Sequence, residues 1–152
     1  MKPCFGGSGI TEDVFQAICR EIDLGDTVVE FGAGDASTPA LASRFTTYTV
    51  EHDPVFLDKH SVTYIHAPLV NGWYSREILV RLLPRDYRLV LLDGPGVRPG
   101  DRALILRHTD LFRKAALYVV HDIQRPEEHA LAEKIGWWLG RSVRWGDEFA
   151  II

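Results

Sequence analysis

The 152-residue sequence predicts one α/β domain, residues 1–152, built on a compact, doubly wound, mostly parallel sheet with helices on both faces. Three observations predict this class. Segments with strand character alternate with helical segments, which is the order found in parallel sheets. The central strands, such as VVEF and LVLL, are continuous apolar runs, as expected for strands that are buried on both faces. Polar residues recur where these strands end.

The predicted elements follow one another with short connections. Thr11 is placed to cap a first helix on which Val14, Ile18 and Ile22 recur at helical spacing, and Gly25 is expected to end it. Strands are predicted at 27–31, 47–53, 61–68, 87–96 and 116–122. Helices are predicted at 39–45, 54–60, 75–83, 102–112 and 126–139. The tail, residues 141–152, is expected to add one or two strands.

Composition excludes several classes of function. The net charge of −4 argues against a nucleic-acid partner held through its phosphates. No apolar run approaches the roughly 18 residues of a membrane span, so we expect no membrane partner. The first residues lack the apolar core of a signal peptide, which indicates a cytoplasmic protein. Cys4 and Cys19 fit a reducing compartment, with a disulfide between them as the alternative. Composition does not indicate the oligomeric state.

Acidic residues stand at the carboxyl ends of four predicted strands: Glu30, Glu51, Asp53, Asp93 and Asp122. In doubly wound sheets, ligands bind outside these strand ends, where the strand order reverses. The recurrence of acids at these positions predicts a cleft there.

The segment EFGAGDAST leads from the first strand into a helix. Gly32 and Gly34 allow the backbone to turn sharply and to approach a ligand closely. The start of the helix, with Ser37 and Thr38, offers free N–H groups to a polar or negative group. A dinucleotide site would have a third glycine where Ser37 stands. The loop therefore favours another nucleotide-like cofactor, with a dinucleotide or a purely structural turn as alternatives.

The pattern E-x-G-x-G, from Glu30 to Gly34, resembles the first motif of the class I S-adenosylmethionine-dependent methyltransferases, which have a Rossmann-like fold. The resemblance implies S-adenosylmethionine as the cofactor and directs Glu30 to the ammonium group of its methionine part. It assigns Glu51 to the ribose hydroxyls, whereas the alternative is an acid that only favours the next helix start. Ser8 lies in a glycine-rich opening that is either a lid over the methionine part or a frayed start. The predicted cofactor-binding residues are Ser8, Glu30, Gly32, Gly34, Ser37, Thr38, Glu51, His52 and Asp93.

Asp93 and Asp122 follow the fourth and fifth predicted strands, where two carboxylates can share a divalent cation. This arrangement resembles the cation-dependent catechol and caffeoyl-type O-methyltransferases, whose acids after these strands bind a metal. Ile123 stands where that family has Asn or Asp, which argues against a complete metal site. Asp122 can instead cap the last helix or pair with Arg125.

The segments DGPG, PGDR and VVHDIQR resemble the glucuronoxylan 4-O-methyltransferases. This resemblance places Asp93 beside the methyl donor and acceptor, and Arg102, His121, Asp122 and Arg125 on the acceptor side. The pair Trp73-Tyr74, after the third strand, either stacks on the acceptor, with Trp73 as the candidate, or fills a hydrophobic gap.

The predicted function is methyl transfer from S-adenosylmethionine to an oxygen of a small or saccharide-like acceptor, with a nitrogen acceptor less favoured. Asp93, His121 and Asp122 are the catalytic candidates, with Asp93 or His121 as the base. The alternatives are a cofactor-binding module without catalysis and an NAD-dependent oxidoreductase.

Overall fold

The computed structural model of the protein describes residue 5, residues 9–96 and residues 100–152. Its strands are β1 (Thr27–Phe31), β2 (Thr46–Glu51), β3 (Thr63–His66), β4 (Leu69–Val70), β5 (Trp73–Tyr74), β6 (Leu89–Leu92), β7 (Leu117–His121), β8 (Arg144–Trp145) and β9 (Phe149–Ile151). Its α-helices are α1 (Glu12–Glu21), α2 (Ser37–Ala42), α3 (Arg76–Leu82) and α4 (Pro126–Leu139). Short 3₁₀ helices span Pro54–Phe56, Arg102–Arg107 and Thr109–Leu111.

Seven strands form one sheet in the order β3-β2-β1-β6-β7-β9-β8, and β4 pairs with β5 separately. The first five strands of that order are parallel, whereas β9 is antiparallel to β7 and β8 is antiparallel to β9. The chain winds outward from β1 in one direction and from β6 in the other, so the order reverses between these neighbours. The predicted doubly wound, mostly parallel α/β fold is therefore confirmed.

The residues of β6 explain why this sheet is covered on both faces. All four are buried, and successive side chains point to opposite faces. Leu89 and Leu91 pack in the hydrophobic cluster that includes α1 and α2 residues. Val90 and Leu92 pack in the other cluster, with residues of α3, α4 and the segment Arg102–Leu111. The continuous apolar run is thus required by helices on both sides.

Three predicted helix features differ from the structure. Thr11 occupies the N-cap position of α1 but its side chain makes no capping hydrogen bond. The helix ends at Glu21, and Gly25 adopts a φ of 87° in the turn that follows. The predicted helix 102–112 is two 3₁₀ segments, because His108, with φ −126° and ψ 25°, leaves the helical conformation between them.

The hairpin β4–β5 was not predicted. Its turn is Asn71-Gly72, with φ values of 52° and 88°. Positive φ at both central residues matches the tight turn that Asn-Gly favours in hairpins. The sequence therefore carried the turn signal of a hairpin. Each strand has only two residues, which is too short to show a strand pattern in the sequence.

Within the described residues, no helix combines the length and apolar character needed to cross a membrane. Cys19 lies on α1, whereas Cys4 and Ser8 fall outside the described residues. The predictions for a disulfide and for a lid at Ser8 therefore remain predictions.

Candidate functional site

A cleft of about 290 Å³ lies at the carboxyl ends of β1, β2, β6 and β7, beside the reversal of strand order. Its volume is close to the lower limit of ligand pockets, about 300 Å³. It is lined by Gly32, Ala33, Gly34, Glu51, His52, Tyr74, Asp93, Gly94, Pro95, Gly96, Arg102, Asp122 and Arg125. The fold therefore brings together most of the residues that the sequence singled out.

The floor of the cleft is formed by two glycine-containing loops in direct contact. Gly32 has a φ of 92°, and a Cβ built on it would lie 2.8 Å from the backbone nitrogen of Gly94. A Cβ on Gly94 would in turn lie 2.7 Å from Cα of Gly32. Neither position has room for a side chain, so glycine at both is required by the close approach of the two loops.

Glu51 lies at the end of β2 and is hydrogen-bonded mainly to backbone. Its Oε2 accepts from the N–H of Ala33 at 2.8 Å. Its Oε1 accepts from the N–H groups of His52 and Asp53 at 2.6 and 2.7 Å. A carboxylate has about four lone-pair positions, so these three bonds leave one on Oε2 for a ligand hydroxyl. Asp53, by contrast, caps the next 3₁₀ turn by accepting from Val55 N–H.

Glu30 lies beneath the glycine loop and is fully buried. The hydroxyls of Thr38 and Thr49 each donate to its Oε2 at 2.8 Å, and its Oε1 has no partner among the described residues. Burial raises the pKa of Glu30 to about 7, while hydroxyl hydrogen bonds oppose the rise and the charge of Asp93 adds to it. The carboxyl group therefore titrates close to neutral pH.

Like Glu30, two further predicted cofactor residues hold the loop instead of lining the cleft. Ser37 and Thr38 are fully buried. The Thr38 hydroxyl accepts from Gly34 N–H at 3.0 Å while it donates to Glu30, so it ties the turn to the buried acid. A Cβ on Gly34 would lie 2.5 Å from Ser37 Oγ. Their side chains therefore shape the loop from behind.

Asp93, His121 and Asp122 form a polar cluster in which one ligand atom of each lies within 4.8 Å of the others. His121 Nδ1 lies 2.8 Å from Asp93 Oδ1 and 3.6 Å from Asp122 Oδ1. An ionised carboxylate only accepts, so Nδ1 donates to Asp93. Burial lowers the pKa of His121, but the hydrogen bond to Asp93 and the charges of Asp93 and Asp122 outweigh it and raise the pKa above its ordinary value.

Asp122 has a φ of 62°, in the left-handed region that non-glycine residues rarely adopt. Such conformations are concentrated at functional sites. Its backbone carbonyl accepts from Arg125 N–H at 2.9 Å, and Arg125 is the N-cap residue of α4. Asp122 is thus not the helix cap, but it lies 3.3 Å from the Arg125 guanidinium, as the alternative interpretation proposed.

Arg102 was predicted to contact the acceptor, but its guanidinium is buried and bound to the protein itself. It donates to the carbonyls of Pro95, His121 and Asp93 at 3.3, 3.2 and 2.7 Å. It also donates to Asp122 Oδ2 at 3.0 Å. Four of the five guanidinium N–H groups therefore hold the ends of β6 and β7 together. Arg125 is half exposed at the rim and remains open to a ligand.

Trp73 was predicted to stack on an acceptor, and its burial corrects this. The side chain is 1% exposed and packs against Phe31, with ring centroids 5.5 Å apart. Trp73 therefore fills a hydrophobic gap, which was the other interpretation of the sequence.

Tyr74, the second residue of the predicted Trp73-Tyr74 pair, lines the cleft. Its hydroxyl lies next to Gly94, because a Cβ built on Gly94 would be 2.6 Å from it. The hydroxyl has no hydrogen-bond partner within the described part of the chain. Burial raises the pKa of Tyr74 well above its ordinary value, and the charge of Glu51 adds to this. The hydroxyl therefore stays protonated and can donate to a ligand. No signal in the sequence distinguishes Tyr74 from Trp73, because both side chains are buried in the same hydrophobic cluster.

A second hollow of about 480 Å³ lies between the start of α1 and the β8–β9 turn. It is lined by Thr11, Asp13, Gly146, Asp147, Glu148 and Phe149. Phe149 pairs with His121 in the sheet, so this hollow opens at the same sheet edge as the cleft.

The sequence matches no known protein-family profile and no curated protein. Similar solved structures include precorrin 8w decarboxylase from Methanobacterium thermoautotrophicum, with a TM-score of 0.62, 18% identity, and coverage of 96% of this chain and 90% of that one. A TehB-like S-adenosylmethionine-dependent methyltransferase from Corynebacterium glutamicum has a TM-score of 0.56 at 14% identity, covering 90% and 83%. The MycE methyltransferase of the mycinamycin pathway, solved with magnesium, S-adenosylhomocysteine and mycinamycin VI, has a TM-score of 0.54 at 14% identity, covering 93% and 48%.

The chain shares the fold of the class I S-adenosylmethionine-dependent methyltransferases. At these identities the likeness concerns the fold alone. The fold alone does not define the function, which depends on the residues of the cleft.

Proposed function

We propose that the protein binds S-adenosylmethionine in this cleft and transfers its methyl group to an oxygen of a small or saccharide-like acceptor. One observation carries the proposal. Gly32, Glu51 and Asp93 face a single cleft at the reversal of strand order, in a fold shared with methyltransferases. That is the position at which doubly wound sheets bind nucleotide-like ligands.

The cleft residues fit the nucleoside part of this cofactor. Glu51 Oε2 retains one lone pair toward the cleft, which can accept a ribose hydroxyl. The protonated Tyr74 hydroxyl offers a donor nearby. Gly32 leaves the loop floor free of side chains, so that the backbone can approach a ligand closely. When bound, S-adenosylmethionine supplies an electrophilic methyl group on its sulfonium.

Asp93 is our candidate for the proton acceptor, because it lines the cleft whereas His121 lies behind it. His121 is then a positioning residue, since its Nδ1–H donates to Asp93 Oδ1. Orientation of the acceptor supplies most of the rate in such a transfer, because the two reacting groups are held together. Arg125 at the rim and the hollow beside the β8–β9 turn provide polar contacts and space for an acceptor.

Titration calorimetry with S-adenosylhomocysteine tests cofactor binding, with NAD as the competing ligand. We expect S-adenosylhomocysteine to bind and NAD to give no heat. Glu51→Ala should weaken binding of S-adenosylhomocysteine and of adenosine by about 1–3 kcal/mol, because a charge-assisted hydrogen bond is lost. Methionine binding should be unaffected.

The matched control is Asp53→Ala, which removes a neighbouring carboxylate that caps a turn without lining the cleft. Its affinity for S-adenosylhomocysteine should equal that of the wild type. Tight binding of NAD, or unchanged binding by Glu51→Ala, would contradict the proposed site.

A second candidate function is a cofactor-binding module without catalysis. The pairing of the two acids favours it. Asp93 pairs with His121, and Asp122 pairs with Arg102 and Arg125. Few carboxylate oxygens are therefore free to take a proton from an acceptor. Release of S-adenosylhomocysteine from S-adenosylmethionine in the presence of glucuronic acid or a catechol separates the two. Binding without release for either acceptor class would support the module.

A further inference from the structure

The polar cluster at the ends of β6 and β7 has the spacing of a metal site. Asp93, His121 and Asp122 offer ligand atoms within 4.8 Å of one another. Carboxylate oxygens and an imidazole nitrogen are ligands that divalent cations accept. The spacing alone would therefore suggest a divalent metal ion between the two acids.

A guanidinium already lies between these acids. Arg102 Nη2 is 3.0 Å from Asp122 Oδ2, 3.8 Å from Asp93 Oδ1 and 2.7 Å from the Asp93 carbonyl. The Arg102 side chain is 5% exposed, and its other nitrogens are bound to the carbonyls of Pro95 and His121. It is therefore anchored on several sides by the backbone that carries the acids.

The charges of the cluster balance without a metal ion. Asp93 and Asp122 contribute two negative charges, and Arg102 and Arg125 contribute two positive charges within 4 Å. A divalent cation would add two further positive charges to a poorly solvated, balanced group. Since opposite charges within such sites stabilise one another and like charges repel, the balance disfavours a metal ion.

The individual oxygens are also occupied. Asp122 Oδ2 lies within 3.3 Å of both guanidinium groups, and Asp93 Oδ1 accepts from His121 Nδ1 at 2.8 Å. A metal ion at ligand distances of about 2.0–2.6 Å would have to displace these contacts, because Arg102 Nη2 already lies 3.0 Å from Asp122 Oδ2 and 3.8 Å from Asp93 Oδ1. The imidazole nitrogen that faces the acids is a donor here and cannot ligate a metal ion in this state.

We propose that Arg102 is the resident cation of the Asp93–Asp122 pair, and that this cleft binds its ligands without a divalent metal ion. The guanidinium takes the charge-neutralising place between the acids that a metal ion would take in a site of this spacing. This proposal does not depend on methyl transfer, because it concerns the acidic pair itself.

The wild-type protein tests this directly. Mn²⁺ titrated into the protein should keep the electron paramagnetic resonance signal of the free ion, and millimolar Mg²⁺ should leave the melting temperature unchanged. A ligand that binds only the folded state would raise that temperature. The affinity for S-adenosylhomocysteine, measured by calorimetry, should be equal in chelator and in Mg²⁺. Loss of the free Mn²⁺ signal, or loss of binding in chelator, would overturn the proposal.

Substitution of Arg102 provides the second test. Arg102→Met removes the cation between the acids, so we expect a lower melting temperature and a gain of Mn²⁺ binding that partly restores it. Arg102→Lys keeps one positive charge and should bind Mn²⁺ more weakly than Arg102→Met. Arg125→Met is the matched control, because it removes a guanidinium from the exposed side of Asp122 and leaves Arg102 in place. It should gain less Mn²⁺ binding than Arg102→Met, because Arg102 still lies between the acids.

A folded Arg102→Met variant that gains no Mn²⁺ affinity, or an Arg125→Met variant that gains as much, would contradict the proposal. Failure of Arg102→Met to fold would leave the decision to the wild-type Mn²⁺ titration and to Arg102→Lys. Failure of S-adenosylhomocysteine to bind would contradict the proposed function but not the assignment of Arg102, because the Mn²⁺ measurement needs no cofactor.

Discussion

Glu30 is an acid that the fold keeps away from water. It has three hydroxyl groups around it, from Ser37, Thr38 and Thr49, and its pKa is raised to about 7 by burial. In the unfolded chain the same group has a pKa of 4.5. The folded state therefore holds a proton that the unfolded chain has released, over the pH range between these values.

Linkage fixes the sign of the resulting pH dependence. Because the folded state binds more protons, the contribution of Glu30 to the free energy of unfolding decreases as pH rises from 4.5 to about 7, by about 3 kcal/mol. The raised pKa of His121 acts in the same direction, since its stabilisation is lost as pH rises through the folded-state value.

Glu30→Gln should remove most of the decrease in stability between about pH 5 and about pH 8. The amide oxygen can still accept from Thr38 and Thr49, and the amide does not ionise. Urea unfolding at both pH values measures this. Asp35→Asn is the control, because Asp35 is an exposed acid near the same loop and should keep the wild-type difference. An unchanged pH dependence in Glu30→Gln would show that Glu30 is not the titrating group.

Tyr74 and Tyr87 offer a matched pair of hydroxyl groups. Tyr74 has no partner among the residues that the structure describes, whereas Tyr87 accepts from Arg113 N–H at 2.9 Å. A buried hydroxyl without a partner costs free energy unless a ligand satisfies it.

Tyr74→Phe should preserve or raise the melting temperature and weaken S-adenosylhomocysteine binding by about 0.5–1.5 kcal/mol, the value of one hydrogen bond. Tyr87→Phe should have the opposite pattern, with lower stability and unchanged affinity. Calorimetry and thermal unfolding of the two variants distinguish these outcomes. Equal affinity of Tyr74→Phe and wild type would mean that the hydroxyl does not contact this ligand.

At the scale of elements, the turn between β1 and α2 is built around the loop that follows β6. Gly32 N–H donates to the carbonyl of Val50, and Asp93 N–H donates to the carbonyl of Phe31. These bonds continue the sheet beyond the strand ends and bring Gly32 against Gly94. The glycine motif is therefore required first by packing between two strands, and its availability to a ligand follows from that packing.

Gly32→Ala should destabilise the protein more than Gly25→Ala. Both residues have φ near 90°, but a Cβ on Gly25 meets nothing within 4 Å, whereas on Gly32 it meets Gly94 at 2.8 Å. For a residue with a side chain, the left-handed conformation alone costs about 1–2 kcal/mol, and Gly25→Ala measures this cost. At Gly32 the steric overlap of the new Cβ with Gly94 adds to it. Urea unfolding compares them, and only Gly32→Ala should weaken S-adenosylhomocysteine binding. Equal losses of stability would mean that the two loops separate at little cost.

At the scale of the whole molecule, the order of strands in the sheet brings the residues of the cleft together. The ends of β1, β2, β6 and β7 meet although β2 and β7 are separated by 65 residues in the sequence, from Glu51 to Leu117. The strand pairs β1–β2, β1–β6 and β6–β7 bring these ends together. The antiparallel strand β9 then extends this edge, because Phe149 pairs with His121.

Asp93→Asn and Asp122→Asn test whether this edge is catalytic. Asp93→Asn should abolish release of S-adenosylhomocysteine from S-adenosylmethionine while cofactor affinity stays within a few-fold, because volume is kept and the base is lost. Asp122→Asn should lower the free energy of unfolding, because Arg102 and Arg125 both lose a charged partner. Asn tolerates the left-handed backbone of Asp122, so the effect reports charge. Full activity of both variants would place the chemistry elsewhere in the cleft.

The sheet, the glycine turn and the acids at the strand ends could all be predicted from the amino-acid sequence. Apolar runs, glycine positions and strand ends are local properties, because backbone conformation and side-chain periodicity depend on near neighbours. VVEF, Gly32 and Glu51 were therefore readable without a structure. Asn71-Gly72 carried an equally local signal for the unpredicted hairpin, and the shortness of its strands obscured it.

Which side chains face the cleft depends on the packing of the folded chain. Trp73 and Tyr74 are adjacent on β5 and both are 1% exposed, but only Tyr74 lines the cleft, and sequence spacing does not indicate this. Arg102 lies 20 residues from Asp122, and its direction toward that acid follows from the packing of the segment Arg102–Arg107 against α4. Burial and pairing of this kind depend on distances between distant parts of the chain, which is why an arginine assigned to substrate in the sequence holds two acids together in the structure.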